Sequence, residues 1–177
     1  MKLIVVTGMP GAGKEEFLNI AVRRDIPFIR MGDLVREAHA NRSDADEALN
    51  VGQFATIERE RYGYNIWAKR ALKRMSGDIF LVDGCRSMDE VLAYRGLTDD
   101  VDVVAIHSSP YTRYERLVKR GRDDAPQTFE EFKDRDSREM GWGLSDLIAL
   151  SDMIIVNDGT LEEFESEVNK FLDKVLS

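Results

Sequence analysis

The first fifteen residues of the chain constrain its fold more than any other segment. An apolar run at residues 3–6 is followed directly by the sequence GMPGAGK at residues 8–14, and a helical pattern begins at Lys14. A run this short, with no polar alternation, predicts a strand buried on both faces of a sheet. The glycine-rich sequence matches G-x-x-x-x-G-K, the pattern of a phosphate-binding loop (P-loop) that connects a strand to a helix.

The chemistry of phosphate binding explains this order of residues. Glycines let the backbone curl so that several N–H groups converge on phosphate oxygens, and the N-terminus of the following helix adds partial positive charge. Lys14 supplies a full positive charge for the β- and γ-phosphates of a nucleotide. The residues predicted to bind that nucleotide are Gly8, Met9, Pro10, Gly11, Ala12, Gly13, Lys14 and Glu15.

Glu15 departs from the motif, in which Ser or Thr follows the lysine and places a hydroxyl on Mg²⁺. A carboxylate is also a hard oxygen ligand, so one interpretation makes Glu15 a ligand of Mg²⁺ in place of the hydroxyl. In the other interpretation, the Glu15 side chain points into solvent and a water molecule fills the vacant coordination position on Mg²⁺. Both interpretations keep nucleotide binding, and both leave fast catalysis open.

Apolar runs and helical patterns alternate along the whole chain. The predicted strands lie at residues 3–6, 27–30, 79–82, 101–106 and 153–156, and the predicted helices at residues 14–24, 32–40, 51–75, 88–95, 110–119, 128–150 and 161–176. This alternation predicts an α/β fold with a parallel, doubly wound sheet. Residues 41–50 and 120–127 interrupt the alternation, and segments of that kind are where binding loops and lids lie.

Length and composition exclude several classes of protein. A chain of 177 residues predicts one domain, and a net charge of −8 argues against nucleic acid held by bulk charge. The single cysteine, Cys85, excludes an internal disulfide, and no apolar run is long enough to span a membrane. The N-terminus does not read as a signal peptide, so the expected location is the cytoplasm.

Four segments, in this order along the chain, resemble the nucleoside monophosphate kinases, with adenylate kinase the nearest familiar member. The P-loop is the first, and MGDLVR at residues 31–36 is similar to the T-G-D-x-x-R segment that binds the acceptor nucleotide. LVDGCR at residues 81–86 is similar to D-G-F-P-R with one residue missing, and residues 113–122 carry the series R-x-x-R-x-x-x-R-x-R. The sequence SDMIIVNDGTLEEF near the C-terminus also resembles dephospho-CoA kinases, and the whole pattern is similar to archaeal adenylate-kinase-related proteins.

The resemblance implies a fold and a division of the chain. The fold is the three-layer α/β/α arrangement of P-loop NTPases, with five parallel strands in the order 2-3-1-4-5. The chain is one domain whose core comprises residues 1–30, 76–120 and 141–177. A helical insertion at residues 31–75 binds the acceptor, and residues 121–140 form a short lid.

The resemblance also implies roles for individual residues. Arg36 and Arg86 hold the acceptor phosphate, because a guanidinium suits bidentate phosphate contacts. Asp33 orients that segment, or else only caps a helix. Asp83, at the end of a buried strand, binds Mg²⁺ directly or through water, and Glu15 is the second candidate ligand. The implied catalytic residues are Lys14, Arg86, Arg116, Arg120 and Arg122, and the implied acceptor-binding residues are Gly32, Asp33, Arg36, Asp83, Gly84, Arg86, Glu90, Arg135 and Arg138.

Two further expectations concern the acceptor. Glu90 lies near the position where adenylate kinases carry an adenine-reading glutamine, and an ionised carboxylate accepts a hydrogen bond from an adenine amine. Tyr62, Tyr64 and Trp67 are predicted to pack in the core or the insertion rather than to stack on a base.

Three interpretations of function remain at this point. The leading one is a kinase that uses ATP and Mg²⁺ and transfers the γ-phosphate to a nucleoside monophosphate, with AMP favoured and dephospho-CoA as the alternative acceptor. The second is a regulatory module that senses ATP or AMP with weak or no catalysis, an interpretation that Glu15 favours. The third is an NTPase coupled to nucleic acid or protein, which the net charge of −8 makes the weakest. No segment of the sequence predicts a partner protein.

Overall fold

The computed structural model describes residues 1–42, 49–122 and 125–177. The strands are β1 (Lys2–Thr7), β2 (Phe28–Arg30), β3 (Ile79–Asp83), β4 (Val101–His107) and β5 (Met153–Val156). The helices are α1 (Lys14–Arg23), α2 (Met31–Ala40), α3 (Val51–Tyr62), α4 (Ile66–Leu72), α5 (Met88–Arg95), α6 (Pro110–Arg120), α7 (Phe129–Gly141), α8 (Leu144–Ala149) and α9 (Leu161–Leu176). Parts of the segments 41–50 and 120–127 lie outside the described residues.

The five strands form one parallel sheet in the order β2-β3-β1-β4-β5, which confirms the predicted fold class and strand order. β1 is central, and the order of connection reverses on either side of it. Ligands of open α/β sheets bind at such a reversal, beyond the carboxyl ends of the strands. The P-loop leaves β1 at this edge, and Asp83 is the last residue of the neighbouring β3.

Side chains of β1 alternate between two apolar layers, one on each face of the sheet. Leu3 and Val5 pack with residues of α2, α3, α4, α5 and α8. Ile4 and Val6 pack with residues of α1 and α9 on the other face. Because both faces are covered, the strand is apolar without alternation, as the sequence predicted.

Two predicted helices are each divided in the structure. The helix expected at residues 51–75 is broken between α3 and α4, and the one expected at residues 128–150 is broken between α7 and α8. Gly63 (φ 94°) and Gly143 (φ 98°) stand at the breaks, in a backbone region that ends a right-handed helix. The first break was concealed because α3 and α4 pack in the same apolar layer, so the apolar periodicity continues across it.

The insertion predicted between β2 and β3 contains α2, α3 and α4. Its role in binding an acceptor, and the role of residues 121–140 as a lid, stay predictions. Within the described part of the chain, no helix has the length and apolar character needed to cross a membrane.

Candidate functional site

Two adjoining cavities open at the carboxyl edge of the sheet. The P-loop cavity, of about 620 Å³, is lined by the P-loop, the start of α1 and the arginines of α6. The second cavity, of about 770 Å³, lies between α2, α3 and α7. Both cavities are of the size that holds a small-molecule ligand. Their common wall consists of Gly32, Arg36, Gly84, Arg86 and Arg135.

Lys14 lies at the centre of the P-loop cavity. Its Nζ donates hydrogen bonds to the carbonyl oxygens of Gly8 (2.6 Å) and Met9 (3.1 Å), so the side chain curls over its own loop. Burial and, to a smaller extent, the positive charge of Arg86 lower the pKa of Lys14 to about 8, while the carboxylate of Asp83 acts in the opposite direction. A phosphate anion placed here gives the ammonium a stronger partner than two carbonyls.

The P-loop is held in place by residues that follow β4 and β5 and by one residue of α6. Ala12 is fully buried, and its carbonyl oxygen accepts hydrogen bonds from Asn157 Nδ2 (2.9 Å) and Ser108 Oγ (3.2 Å). Arg113 Nη1 donates to the carbonyl oxygen of Pro10 (3.1 Å). These contacts hold the loop in its curled form before any ligand arrives. These roles of Asn157 and Ser108 are not evident from the sequence. An Asn or Ser at the end of a strand is as typical of an ordinary turn as of a residue that holds the P-loop in place.

Asp83 is the group best suited to a divalent cation. Its Oδ1 is buried and has no hydrogen-bond partner, and burial raises the pKa of this carboxyl. The charges of Lys14, Arg86 and Arg30 act in the opposite direction and favour the carboxylate. Mg²⁺ takes one or two carboxylates together with phosphate oxygens and water, so the residues present fit that ion beside a bound triphosphate.

Glu15 has a partner that the sequence did not predict. Both of its carboxylate oxygens accept hydrogen bonds from Arg122 Nη2, at 2.7 Å each, and Arg120 Nη1 lies 4.0 Å away. Glu15 is therefore not a free solvated side chain, and its role as a metal ligand stays a prediction. In this arrangement Glu15 neutralises an arginine expected to contact phosphate, because the first turn of α1 and the end of α6 meet at the mouth of the cavity.

A buried ion pair fixes the predicted lid helix to the core. Arg113, in α6, donates to both carboxylate oxygens of Asp136, in α7, at 2.9 and 2.6 Å. Its Nε also donates to the carbonyl oxygen of Ser108, at 3.2 Å. The arginine series identified Arg113 only as a member of a pattern. Its role as an anchor was missed because periodicity does not show which arginine of a helix faces inward.

The remaining predicted arginines are distributed between the two cavities. Arg116 lines the P-loop cavity and donates to Ser108 Oγ and to the carbonyl oxygen of Asn157, both at 2.9 Å. Arg135 belongs to the common wall, whereas Arg138 lines only the second cavity, beside Gly52.

The wall between the cavities carries the two arginines predicted to hold an acceptor phosphate. Arg36 forms an ion pair with Asp33 one turn earlier in α2, and both side chains are more than half exposed. The predicted role of Asp33 in orienting the acceptor-binding segment stays a prediction, while the N-cap alternative is wrong because the cap position is Arg30. Arg86 pairs with Glu139 of α7. Each arginine is thus pre-positioned by a carboxylate, which reduces the entropy lost on binding an anion.

Glu90 does not have the role that the sequence analysis predicted. The side chain is fully buried, and its carboxylate accepts from the backbone N–H of Arg86 (2.7 Å) and from Arg59 Nη2 (3.3 Å). With these bonds made, Glu90 positions Arg86 and is not available to an adenine amine. The resemblance identified the right region of the fold. Because the carboxylate is buried, however, it accepts hydrogen bonds from the protein and not from a base.

The aromatic cluster expected in the core divides in the structure. Trp67 is fully buried in the core layer beside the second cavity, as predicted. Tyr62 and Tyr64 are 57% and 47% exposed, so the prediction is wrong for them. They lie on either side of the break at Gly63, where the chain turns outward.

The fold and the loop geometry together define a P-loop protein with a five-stranded parallel sheet. A family model described as an AAA domain matches residues 4–141, so the chain belongs to that family of P-loop domains. Among solved structures, the chain is similar to shikimate kinase from Bacteroides thetaiotaomicron, with a TM-score of 0.60 and 16% identity over 99% of each chain. It is also similar to TT1252 from Thermus thermophilus, with a TM-score of 0.61 and 16% identity over 98% and 97% of the two chains. At such identities the likeness shows the fold.

Sequence relatives define the family more narrowly. The chain is 43% identical over 176 residues to a UPF0200 protein of Hyperthermus butylicus, covering 98% of this chain and 94% of the relative. It is 42% identical over 178 residues to a UPF0200 protein of Thermoplasma acidophilum, covering 99% and 97%. The chain belongs to the UPF0200 family, and the predicted relation to archaeal P-loop proteins of this class is confirmed.

Proposed function

We propose that this protein is a Mg²⁺-dependent phosphotransferase that moves the γ-phosphate of ATP to a nucleoside monophosphate. The observation that carries the proposal is the pair of cavities with a common wall of arginines and glycines. A donor held on the P-loop and an acceptor held in the second cavity bring their phosphates to the same wall. Phosphoryl transfer requires mainly this positioning and the stabilisation of charge.

The residues of the chain divide the work of the reaction. Lys14 and the P-loop backbone hold the β- and γ-phosphates, and Arg36 and Arg86 hold the acceptor phosphate. An acceptor phosphate oxygen attacks the γ-phosphorus, the bond from that phosphorus to the bridging oxygen breaks, and ADP leaves with the electron pair. Asp83 would hold Mg²⁺, which would supply positive charge for the phosphates during transfer.

Arg122 has to change partners for this reaction. Its guanidinium is held by Glu15 in the structure, and a γ-phosphate offers three competing oxygens. Because both Glu15 and Arg122 are about half exposed, at 46% and 49%, the pair is weak enough for a phosphate to displace it. Phosphate binding would then draw the arginines at the end of α6 over the transferring group.

The acceptor is proposed at the level of its class. The resemblance to adenylate kinases favours AMP, but the burial of Glu90 removes the one residue expected to read the adenine amine. The second cavity is lined by apolar side chains, among them Val35 and Ala55, and by arginines at the common wall. This combination fits a molecule with a flat apolar part and a phosphate, and a nucleoside monophosphate is the simplest.

Transfer of labelled γ-phosphate from ATP tests the proposal. The assay contains Mg²⁺ and AMP, GMP, IMP, CMP, UMP, dephospho-CoA or no acceptor, each with the wild type and with Arg86→Ala. We expect label in one or more nucleoside diphosphates and its loss in Arg86→Ala. If no acceptor raises ADP formation above the rate without acceptor, the protein is not a kinase of this class.

The second candidate function is a nucleotide-sensing module with weak catalysis, and the pairing of Glu15 with Arg122 favours it. The same assay separates the two, because a sensor binds ATP without transfer to any acceptor. Glu15→Ser restores the usual P-loop hydroxyl and releases Arg122. A tenfold or greater rise in transfer in this variant would identify a site not tuned for catalysis, and unchanged transfer would remove the argument for a sensor.

A further inference from the structure

Arg30 is a cavity arginine that none of the sequence motifs includes. It is the last residue of β2, it is half-buried, and it lines the P-loop cavity but not the second cavity. Arg36, Arg86 and Arg122 of the same cavity each have a carboxylate partner. In the part of the chain that the structure describes, Arg30 makes no hydrogen bond and no ion pair, and its guanidinium lies 5.7 Å from the ring centre of Phe28. Its N–H groups are therefore available to a ligand.

The position of Arg30 is one where an arginine does not favour folding. Arg30 is the N-cap of α2, and its side chain makes no capping hydrogen bond. By contrast, α3, α5, α6, α7 and α9 each begin after an Asn, Ser or Thr whose side chain accepts a hydrogen bond from the first turn. An arginine also brings positive charge to the positive end of the helix dipole. A residue that breaks a local rule without a structural gain is typical of a functional site.

Arg30 lies beside the carboxylate that is suited to a divalent cation. Arg30 and Asp83 are register partners at the ends of β2 and β3, and neighbouring strands lie about 4.8 Å apart. The residues before them, Ile29 and Val82, pack in the apolar layer that contains α2 to α5 and α8. Because side chains alternate along a strand, Arg30 and Asp83 are both directed to the opposite face, where the start of α1 also lines the P-loop cavity.

This location indicates which part of a nucleotide Arg30 meets. The P-loop and Lys14 are the proposed site of the β- and γ-phosphates, and Mg²⁺ at Asp83 would lie between those two groups. The charge of Arg30 reaches Asp83, since it is one of the charges that lower the pKa of this carboxyl against the effect of burial. A cation beside Asp83 and outside the second cavity is therefore close to the terminal phosphate of the donor.

We propose that Arg30 binds the γ-phosphate of the nucleoside triphosphate in the P-loop cavity, and so lets the site distinguish ATP from ADP. This inference rests on the proposed function only in taking a nucleoside triphosphate as the occupant of that cavity. A guanidinium donates two parallel hydrogen bonds to phosphate oxygens. ADP lacks the γ-phosphate and leaves Arg30 without that contact.

The affinities for ATP and ADP test the inference without any acceptor. Calorimetry measures both with Mg²⁺, for the wild type and for Arg30→Ser. We expect Arg30→Ser to lower the ATP affinity about tenfold, as for the loss of a charge-assisted hydrogen bond, and the ADP affinity by less than about twofold. Equal losses for the two nucleotides, or no loss for ATP, would overturn the inference.

Two further measurements show whether the effect belongs to the γ-phosphate. Arg95→Ser is the matched control, because it removes the same charge from the exposed last turn of α5, outside both cavities, and it should keep both affinities. The AMP affinity, measured without ATP, should be the same in Arg30→Ser as in the wild type. A loss for AMP as large as the loss for ATP would assign Arg30 to the acceptor phosphate and overturn the inference.

Unfolding in urea separates ligand binding from a structural role. A serine at residue 30 can cap α2 and removes a cation from the helix N-terminus, so Arg30→Ser should raise the urea midpoint of the protein without nucleotide. The variant would then be more stable and bind ATP less tightly. A lowered midpoint, or failure of the variant to fold, would show that Arg30 serves the fold and would overturn the inference.

The outcome is independent of the phosphotransferase proposal. If Arg30→Ser loses affinity for ATP alone and the wild type transfers phosphate to no acceptor, the role of Arg30 stands and the proposed reaction fails. If phosphate is transferred and Arg30→Ser binds ATP and ADP with equal losses, the reaction stands and the role of Arg30 fails.

Discussion

The two cavities differ in the groups that they present to a ligand. The P-loop cavity presents full charges and backbone groups around Lys14 and Asp83, and its loop is fixed from behind by hydrogen bonds. The second cavity presents apolar surface beside charged side chains of both signs, which lie at the common wall and also beyond it, as Arg138 and Glu131 do. Under the proposed function, charge and backbone groups bind the phosphates, while the shape of the second cavity selects the rest of the acceptor.

Two ion pairs that involve the predicted lid differ in their exposure to solvent. Arg113 and Asp136 are only 5% and 13% exposed, and they fix α7 to the core. Arg122 and Glu15 are about half exposed and lie at the cavity mouth. The buried pair holds the structure together, and the exposed pair is the one that a ligand can exchange.

The largest expected effect comes from removing the charge of the P-loop cavity. Lys14→Ala should lower phosphoryl transfer by roughly 10³-fold, because the transition state loses a preorganised cation. ATP affinity should fall as well, while nucleoside monophosphate affinity, measured without ATP, stays unchanged. Lys170→Ala, in the exposed pair of α9 with Glu167, is the control and should leave both unchanged. A loss of acceptor affinity in Lys14→Ala would show that the P-loop cavity also binds the acceptor. That result would contradict separate roles for the two cavities.

The complementary variant places a negative charge in the second cavity. Val35→Glu, on α2, should weaken nucleoside monophosphate binding by about 30- to 100-fold, because a charged carboxylate then replaces apolar surface where the flat part of the acceptor is proposed to bind. ATP affinity should not change. Val22→Glu, on the exposed side of α1, introduces the same residue away from both cavities and should affect neither ligand. Equal losses for ATP and acceptor in Val35→Glu would contradict the division of labour.

The contrast between buried and exposed ion pairs is measurable as stability. Arg113→Ala leaves Asp136 buried without its partner and should lower the free energy of unfolding by about 3 kcal/mol. Arg23→Ala removes an exposed pair with Glu165 and should cost less than about 0.5 kcal/mol. Urea unfolding of both variants without ligand checks the comparison. Similar costs for the two variants would show that Arg113 does not anchor α7.

Titration of Lys14 gives the P-loop cavity a pH dependence that the second cavity lacks. Its pKa is about 8 in the free protein, and a bound triphosphate raises it. Binding therefore needs the protonated form, and ATP affinity should fall above pH 8, by at most about tenfold per pH unit. Lys14→Arg stays charged and should remove this dependence. An ATP affinity that stays level from pH 7 to pH 10 would contradict the burial of Lys14.

The smallest expected effect concerns the exposed pair at the cavity mouth. Glu15→Gln releases Arg122 and should raise ATP affinity by about threefold at low salt, since exposed pairs contribute little. The gain should shrink as ionic strength rises. Calorimetry with ATP at two salt concentrations checks both statements. A fall in ATP affinity in Glu15→Gln would indicate instead that Glu15 contributes to nucleotide binding, as a metal ligand would.

The sequence predicted the parts of this molecule that depend on local pattern. The apolar run before the P-loop predicted a central buried strand, and resemblance supplied the strand order. The structure brings Lys14, Asp83, Arg36 and Arg86 to one region, as the motifs implied. Lys14 stands at a helix start and Asp83 at a strand end, where position in the fold follows from position in the motif.

The failures share a physical cause. Glu15, Glu90 and Arg113 each have a role set by a partner distant in the sequence: Arg122, Arg59 and Asp136 respectively. Neither periodicity nor motif spacing carries information on such partners. Trp67 and Trp142 have the same side chain. The N–H group of Trp142 has a partner because Thr56 lies beside it, and the sequence does not show that contact.

The central claim is that the two cavities form one continuous site for two nucleotides. A bisubstrate compound, in which adenosine is linked through a chain of phosphates to a second nucleoside, tests it most directly by calorimetry. The account predicts binding at least about 100-fold tighter than that of ATP, because the second half binds at high effective concentration, and loss of this gain in Val35→Glu. Binding no tighter than ATP in the wild type would contradict the claim.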